Sequence, residues 1–380
     1  MVYRRLGTSG LEVSQLGFGC MRFPLKDEND FSSIDEMLAG HMLRYAIDRG
    51  VNYLDTAYNY HRGASETFLG KIIPGGVREK ILLATKMPVW LVKSATDPGR
   101  LLDEQLTRLR TDRIDLYLLH GLNRGYWDTV KKFELLNFLS RMIAAGKIRY
   151  AGFSFHDDIA LFREIIDSYH WILAQIHLNY VDNDIQAGLD GLAYAASRGI
   201  GVVIMEPLRG GKLVRNPPPD VQTIIDRTVP AITPAEYAFR YLWHRPEVST
   251  VLCGMNTIEQ VDENIRCAER DHIGTLTDQD LEDYRSAKEI YKSKVVVGCT
   301  ACGYCLPCAQ KIPISFILEI YNDAFMYNAL AESRGAYRSF LSPERRADKC
   351  TACGECEAKC PQGIPIAETL AEAHKALFGD

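Results

Sequence analysis

Short apolar runs rich in β-branched residues recur along the first 255 residues of the chain. Eight of these runs have the length and composition of strands. They lie at 15–20, 51–55, 81–85, 114–119, 148–153, 172–176, 201–205 and 249–253. Because the runs are too apolar to have one face in water, the pattern predicts a parallel sheet that is covered on both sides.

Segments with helical periodicity separate these runs. They include 34–48, 99–110, 129–145, 157–169, 189–198 and 234–244. Eight strand–helix units in about 250 residues are typical of a (β/α)8 barrel, the TIM-barrel fold. An open, doubly wound sheet is the alternative, but the G-x-G-x-x-G turn expected after one of its early strands is not found here. Residues 3–13 predict a hairpin that closes the floor of the barrel.

Cysteines are concentrated in the last part of the chain, where eight of the eleven form two groups. The groups are Cys299, Cys302, Cys305 and Cys308, and Cys350, Cys353, Cys356 and Cys360. The second group has the spacing C-x2-C-x2-C-x3-C-P of a bacterial ferredoxin, in which the fourth cysteine binds the other cluster. The spacing therefore predicts two [4Fe–4S] clusters. Cys299, Cys302, Cys305 and Cys360 are the predicted ligands of one, and Cys350, Cys353, Cys356 and Cys308 those of the other. The first group departs from the pattern, since only two residues precede Cys308 and Ala309 replaces the proline.

Two other interpretations of the cysteines stay open. Paired C-x-x-C units can form tetrahedral zinc sites, although zinc leaves one cysteine of each triplet without a role. Disulfides need an oxidising compartment, and no apolar stretch of signal-peptide length follows Met1. The iron–sulfur interpretation is favoured over both.

The region after the eighth strand has a helical pattern at 257–268, 277–292 and 315–331, the last with Ser315 as its N-cap. We therefore predict two domains. Residues 1–294 form the barrel, and residues 295–380 form a small, mostly α-helical, ferredoxin-like iron–sulfur domain. The other cysteines, Cys20, Cys253 and Cys267, fit buried apolar positions.

Composition excludes some classes of partner. The net charge is −5 and no stripe of lysine and arginine is present, which argues against nucleic acid. No apolar run approaches the roughly 18 residues that a membrane helix needs. A cytoplasmic location is the expectation.

Four polar residues stand at the ends of apolar strands, where the chemistry of such barrels is placed. Asp55 ends the second strand, Tyr60 lies in the following loop, Lys86 follows the third strand and His120 the fourth. A lysine near a phenol lowers the phenol pKa from about 10, and Asp55 would keep Lys86 charged. These groups can donate a proton to a substrate oxygen that becomes an alkoxide, as carbonyl reduction requires. The alternative is a buried ion pair with no catalytic part.

The chain resembles the aldo-keto reductases, and specifically those bacterial and archaeal members that carry a C-terminal ferredoxin-like extension. The resemblance rests on the segments 55–60, 65–66, 84–86, 106–120, 152–154, 175–179 and 263–264. It implies that Tyr60 is the general acid/base, that Asp55 and Lys86 tune it, and that His120 orients the substrate.

The resemblance also implies a nicotinamide cofactor, NADP(H) or NAD(H), extended across the mouth of the barrel. Ser154 and Gln175 would hold its carboxamide, while Glu263 and Asn264 would hold the adenine. Met205 stands where the family usually stacks an aromatic ring on the nicotinamide, and Phe155 stands where an amide-binding Asn is usual.

The basic residues that usually grip phosphate after the eighth strand are missing, with Gln260 in place of an arginine. The segment of Arg209, Gly210 and Lys212 after the seventh strand is a candidate replacement, because glycine lets a phosphate approach the backbone. The alternative for this segment is an ordinary basic loop.

Together these observations predict an NAD(P)H-dependent oxidoreductase that interconverts a small-molecule carbonyl and an alcohol. Its clusters would serve electron transfer, sensing or structure, and an electron-carrier protein is a further expected partner. Direct coupling of one-electron clusters to hydride transfer would need a flavin, for which no motif is present. The alternative is a redox-sensing regulatory or electron-relay protein that binds a nicotinamide or flavin without reducing carbonyls.

Overall fold

The computed structural model describes residues 1–74, 76–228, 232–300 and 303–379. Within these ranges the strands are β1 (Tyr3–Arg5), β2 (Glu12–Ser14), β3 (Leu16–Gly19), β4 (Tyr53–Asp55), β5 (Leu82–Met87), β6 (Ile114–Leu122), β7 (Ile148–Phe155), β8 (Leu173–His177), β9 (Gly201–Met205) and β10 (Val248–Gly254). The helices up to residue 293 are α1 (Glu36–Asp48), α2 (Ala64–Ile72), α3 (Asp97–Leu109), α4 (Arg124–Lys132), α5 (Leu135–Ala144), α6 (Ile159–Ser168), α7 (Gly188–Ser197), α8 (Pro219–Thr228), α9 (Pro234–Trp243), α10 (Ile258–Cys267) and α11 (Asp278–Ser293). The remaining described helices are α12 (Ile314–Met326), α13 (Leu330–Phe340), α14 (Glu355–Ala358) and α15 (Ile366–Phe378).

Strands β3 to β10 form a closed, parallel barrel in the order β10-β3-β4-β5-β6-β7-β8-β9. Each of the eight predicted apolar runs supplies one strand, so the predicted (β/α)8 barrel is confirmed. The strands are buried almost throughout, because helices cover their outer face and side chains fill the interior. We call the edge formed by the carboxyl ends of β3 to β10 the mouth of the barrel.

The predicted hairpin is present and closes the opposite end. Strands β1 and β2 pair antiparallel, with Tyr3 opposite Ser14. Leu6 and Val13 are fully buried in a cluster with the inward-facing Tyr53 of β4 and Leu116 of β6. This apolar plug keeps water out of the amino-terminal end, so the mouth is the end at which polar side chains gather.

Two predicted helices were wrong in their extent. The segment 129–145 covers the end of α4 and all of α5, because Glu134 adopts a positive φ of 51° that interrupts the helical hydrogen-bond ladder. The segment 315–331 begins one residue earlier, at Ile314, and ends at Met326. Ser315 is therefore not the N-cap; the carbonyl of Pro313 accepts the N–H of Ile317 at 3.1 Å, and Asn328 has a positive φ of 50°.

The chain divides into two compact units. The barrel unit comprises Met1–Gly210 and Ala235–Thr277, and the tail unit comprises Gly211–Pro234 and Asp278–Asp380. The tail unit thus takes α8 from the loop after β9 and α11 from the region predicted as barrel. Its core contains Ile317 and Leu318 of α12 and Leu370 of α15, all buried. The described part of this unit contains helices and no strand, as predicted for residues 295–380.

Of the helices in the described ranges, none combines the length and the apolar character required to span a bilayer.

Candidate functional site

Four side chains singled out from the sequence are placed at the mouth of the barrel by neighbouring elements. Asp55 is the last residue of β4, and Lys86 is the last but one of β5. Tyr60 begins the single helical turn after β4, and His120 lies near the end of β6. Because β4, β5 and β6 are consecutive in the barrel, these residues converge.

The ammonium group of Lys86 is the centre of this cluster. It donates to Asp55 Oδ2 at 2.7 Å, to the carbonyl oxygen of Thr56 at 2.8 Å and to the Tyr60 hydroxyl at 3.1 Å. The side chain of Lys86 is 1% exposed and that of Asp55 is 3% exposed. All three donors of the ammonium are therefore satisfied inside the protein, and the cation is fixed beside the phenol.

The charges of this cluster follow from burial and pairing. Burial by itself would lower the pKa of Lys86, but the Asp55 carboxylate and the Tyr60 phenol outweigh it and the pKa is raised. The pKa of Tyr60 is also raised, because burial of the phenol outweighs the attraction of Lys86 for the phenolate. The expectation of a lowered tyrosine pKa was therefore wrong in sign. Tyr60 is a neutral phenol held against a cation.

His120 completes the cluster as a neutral imidazole. Burial lowers its pKa well below the usual histidine value, and the positive charges of Lys86 and His156 lower it further. Its Nδ1 is buried without a hydrogen-bond partner among the described residues. The centre of its ring lies 6.1 Å from the ring centre of Tyr60 and 5.2 Å from that of Trp90. A polar atom so placed suits contact with a ligand oxygen in front of Tyr60.

A second layer of buried polar groups holds Lys86 from behind. Gln105 on α3 donates to the backbone oxygen of Lys86 at 3.0 Å and to Glu66 Oε1 at 2.6 Å. Glu66 also accepts the Thr85 hydroxyl at 2.7 Å, and Tyr117 donates to Gln105 Oε1 at 2.7 Å. Sequence reasoning missed Gln105. Its signal was a polar residue on the apolar face of α3.

Three of the predicted nicotinamide contacts meet at one place. Ser154 of β7 is the register partner of Gln175 of β8. The Gln175 amide lies 3.7 Å from Met205 Sδ at the end of β9, and its Oε1 is buried with no partner among the described residues. Ser154 Oγ accepts the N–H of Gly121 at 2.7 Å, which leaves its hydroxyl hydrogen for another acceptor. An unpaired buried oxygen beside a hydroxyl donor fits a carboxamide.

The predicted phosphate clamp is not assembled as one group. The Arg209 guanidinium forms an ion pair with the carboxylate of Asp182, which also accepts from Asn179 at 3.2 Å. Gly210 follows with a positive φ of 64°. Lys212 belongs to the tail unit, where its ammonium forms an ion pair with Asp323 on α12. Both cations therefore already have a carboxylate partner within their own unit.

The two residues predicted to hold adenine lie on α10. Asn264 is buried and donates to Cys253 Sγ at 3.3 Å, so its amide points into the barrel unit. Glu263, next to it, is half-buried.

Two cysteines of the first group and the last cysteine of the second group line a cavity in the tail unit. The space within this cavity and its opening to solvent is about 330 Å³, and its lining includes Cys299, Cys305 and Cys360. Cys302, predicted to join them, lies outside the described residues. The cavity therefore unites thiols from both groups, as a crossed ligand arrangement requires.

The other cysteines surround the same helical core. Cys308, Cys350 and Cys356 pack against it partly buried, and Cys353 is exposed. The N–H of Ala352 lies 3.5 Å from Cys350 Sγ, a contact suited to stabilising a thiolate. Among the described residues, no three His, Cys, Asp or Glu side chains converge closely enough to bind a single metal ion.

The two cysteine groups belong to a structural repeat that sequence reasoning missed. Each contains Cys-Thr-Ala-Cys-Gly-x-Cys, and each is followed by Ile-Pro-Ile at the start of a helix. Gly303 and Gly354 occupy equivalent positions with φ values of 76° and 75°. Pro313 and Pro365 precede α12 and α15 with φ values of −82° and −72°. The signal in the sequence was the repeated Ile-Pro-Ile, because two similar halves of a domain predict two similar cluster sites.

These features define a class of protein. The barrel unit has a closed parallel barrel with a buried Tyr–Lys–Asp cluster and a neutral histidine at its mouth. The tail unit is helical and rich in cysteine, with thiols from two repeats around one cavity.

Comparison with known proteins agrees with this class. Residues 15–289 match the model of the aldo/keto reductase family, and the chain belongs to that family. Residues 298–365 match a 4Fe-4S dicluster domain. The protein is therefore an oxidoreductase of the aldo-keto reductase family with a C-terminal 4Fe-4S domain, and the iron–sulfur interpretation is confirmed over zinc at the level of the domain.

Individual relatives cover most of the chain. An uncharacterised oxidoreductase, YqkF of Bacillus subtilis, is 29% identical over 323 residues, 76% of this chain and 98% of that protein. L-galactose dehydrogenase of Arabidopsis thaliana is 29% identical over 284 residues, 69% of this chain and 86% of the relative. Among solved structures, the aldo-keto reductase AKR11C1 from Bacillus halodurans in its holo form has a TM-score of 0.61 at 28% identity, covering 76% of this chain and 96% of that one.

Proposed function

We propose that the protein transfers a hydride between a nicotinamide dinucleotide and a small-molecule carbonyl or alcohol, with Tyr60 as the general acid/base. The observation that supports this proposal is the Lys86 ammonium. It is buried, fully hydrogen-bonded and 3.1 Å from the Tyr60 hydroxyl. A structural ion pair between Asp55 and Lys86 would not need a phenol as the third acceptor.

The residues act together on the substrate oxygen. When bound, a reduced nicotinamide supplies the hydride that such a reaction needs. The Tyr60 hydroxyl donates a proton to the carbonyl oxygen as negative charge develops there, and Lys86 stabilises the phenolate that remains. His120, neutral and without an internal partner at Nδ1, is positioned to hydrogen-bond the same oxygen. In the direction of alcohol oxidation, the phenolate accepts the proton.

The residues at the ends of β7, β8 and β9 fit the carboxamide of such a cofactor. We infer that Ser154 and Gln175 hold it and that Met205 lies against the ring. The unpaired Gln175 Oε1 supports this inference. The choice between NADP(H) and NAD(H) depends on which cations meet the phosphates, because a guanidinium binds phosphate through two parallel donors.

We also propose that the tail unit holds two [4Fe–4S] clusters. Cys299, Cys302, Cys305 and Cys360 would hold one, and Cys350, Cys353, Cys356 and Cys308 the other. The cavity lined by Cys299, Cys305 and Cys360 supports the crossed arrangement. The clusters exchange single electrons, which makes an electron-carrier protein the expected partner of this unit.

A Tyr60→Phe variant tests the proposed reaction. It retains the ring and removes the proton donor, so we expect turnover of a carbonyl panel to fall about 10²–10⁴-fold. Binding of NADPH or NADH, measured by fluorescence quenching, should stay unchanged. Tyr58→Phe is the matched control, because Tyr58 lies in the same loop with its hydroxyl 3.2 Å from Glu104 and away from Lys86.

The same experiment separates the enzyme from a redox sensor or relay. The dicluster match supports a redox role for the tail, so a redox sensor or electron relay that binds the dinucleotide without reducing carbonyls is the second candidate. If the unmodified protein binds the dinucleotide but reduces no carbonyl, the sensor is supported. If Tyr60→Phe retains full turnover, Tyr60 is not the proton donor and the proposed mechanism is wrong.

A further inference from the structure

Arg22 is an arginine of the barrel unit that neither the fold nor the proposed mechanism requires. It lies in the segment after β3, and among the described residues it takes part in no hydrogen bond or ion pair. Its neighbour Phe23 is buried, and the Phe23 N–H donates to His61 Nε2 at 3.1 Å. The backbone at this point is therefore fixed, while the Arg22 side chain is exposed.

Two glycines from different strand ends make room for this side chain. Gly254 ends β10, and a Cβ atom placed on it would lie 3.0 Å from Arg22 Cδ. Gly210 follows β9, and a Cβ atom there would lie 2.8 Å from Arg22 Nη2. The aliphatic stem thus crosses the end of β10, and the guanidinium reaches the segment after β9. A larger residue at either glycine would displace it.

The other residues predicted to bind phosphate are already paired with a carboxylate or carry no charge. Arg209 is paired with Asp182, and Lys212 with Asp323 in the tail unit. Gln260, at the start of α10, carries no charge, and its Oε1 accepts the N–H of Asn256 at 3.0 Å. Among the described residues at the ends of β9 and β10, Arg22 is therefore the guanidinium without a hydrogen bond or an ion pair.

We propose that Arg22 binds the pyrophosphate of the nicotinamide dinucleotide, an inference that rests on the proposed function. A pyrophosphate carries two negative charges, and a guanidinium offers it parallel, charge-assisted hydrogen bonds. The glycines that hold the Arg22 side chain also leave the adjoining backbone open to a close approach by phosphate.

Glu206 offers a competing explanation for Arg22. Its Oε2 lies 3.9 Å from the Cβ position of Gly210, so this carboxylate flanks the guanidinium. Arg22 would then only offset the charge of Glu206, and removing both charges together would restore dinucleotide affinity.

The dissociation constants of NADPH and NADH test the proposal without reference to turnover. For Arg22→Ala in the full chain with its clusters, we expect both to rise roughly tenfold to a hundredfold. The dissociation constants of Arg22→Lys should lie between those of Arg22→Ala and those of the unmodified protein, because lysine retains the positive charge but lacks the parallel donors of the guanidinium. Arg44→Ala is the matched control, since Arg44 is an exposed arginine on α1 without a hydrogen bond or ion pair among the described residues, and it should bind normally.

Each of the following results would contradict the proposed contact of Arg22 with the pyrophosphate, and each would do so in a different way. Unchanged affinity in Arg22→Ala refutes the contact. A loss confined to NADPH moves the contact to the 2′-phosphate. Full recovery in Arg22→Ala with Glu206→Gln means that Arg22 only offset the carboxylate. If the unmodified protein binds neither dinucleotide, the proposed function fails together with this inference, whereas the other three results leave the function intact.

Discussion

Proton transfer at the mouth of the barrel depends on two opposing effects on the pKa of Tyr60. Burial raises the pKa of the phenol, and Lys86 opposes this rise without reversing it. Because the pKa of Tyr60 is raised above the ordinary value of about 10, Tyr60 carries its proton throughout the neutral range. His120 is neutral over the same range, since burial holds its pKa well below the usual value. The resting site is therefore prepared to give a proton.

This balance predicts different pH profiles for the two directions of the reaction. We expect kcat/KM for carbonyl reduction to stay level between about pH 6 and 9, because neither Tyr60 nor His120 changes protonation there. For alcohol oxidation, kcat/KM should rise with pH, because the phenolate is the required base. Steady-state kinetics in both directions measure this, with Tyr58→Phe as a control for general effects of pH on the fold. A reduction profile with an inflection at the ordinary histidine pKa would contradict it.

At the scale of elements, the polar layer behind Lys86 depends on how closely α2 and α3 pack. Gly70 of α2 lies against the backbone of α3, and a Cβ atom there would stand 2.1 Å from the carbonyl oxygen of Arg108. This close approach lets Gln105 on α3 reach both Glu66 on α2 and the backbone of Lys86.

Replacement of Gly70 by alanine tests that dependence. The new methyl group must push α3 away, so we expect a loss of about 1–3 kcal/mol in the free energy of unfolding and a lower kcat. Gly99→Ala on α3 is the matched control, because nothing lies within 4 Å of its Cβ position. That variant should be neutral or slightly more stable, since alanine favours a helix. Thermal unfolding distinguishes the two, and equal midpoints would refute the packing argument.

The elements also show what the sequence could predict. Every barrel strand was found, because a strand buried on both faces is a continuous apolar run. The breaks at Glu134 and Asn328 were not found, because a positive φ in one residue is decided by tertiary packing. Asp55, Tyr60, Lys86 and His120 were predictable from their places at strand ends. Gln105 was not, because its hydrogen-bond partners come from distant segments. The place of Arg22 beside Gly210 and Gly254 was not predictable either, because those glycines lie far along the chain.

At the scale of the whole molecule, the cluster sites depend on residues far apart in the chain. Cys360 lines the same cavity as Cys299 and Cys305, although it follows the second repeat. A cluster there would connect both repeats around the core of α12 and α15. The other cluster has four predicted cysteine ligands of its own, so we expect it to be retained when this one is lost.

Cys360→Ala tests this arrangement. Two clusters require about eight iron atoms per chain, and we expect the variant to retain about half of them after anaerobic purification. Cys267→Ala is the control, because Cys267 is buried on α10 in the barrel unit and should retain all the iron. Iron and sulfide assays give the result. Unchanged iron in Cys360→Ala would show that Cys360 is not a ligand.

The loop after β9 has a consequence for how such a protein could arise. The segment Gly211–Pro234 belongs to the tail unit although it lies between two barrel strands. On α8 within it, Val221 and Ile225 are fully buried, and α8 packs on α11. A gene cut after Thr277 would therefore leave the apolar side chains of α8 exposed in the middle of the remaining product. The tail is no module appended at one end, and joining a ferredoxin-like gene to a barrel gene would have produced this architecture only if the loop changed as well.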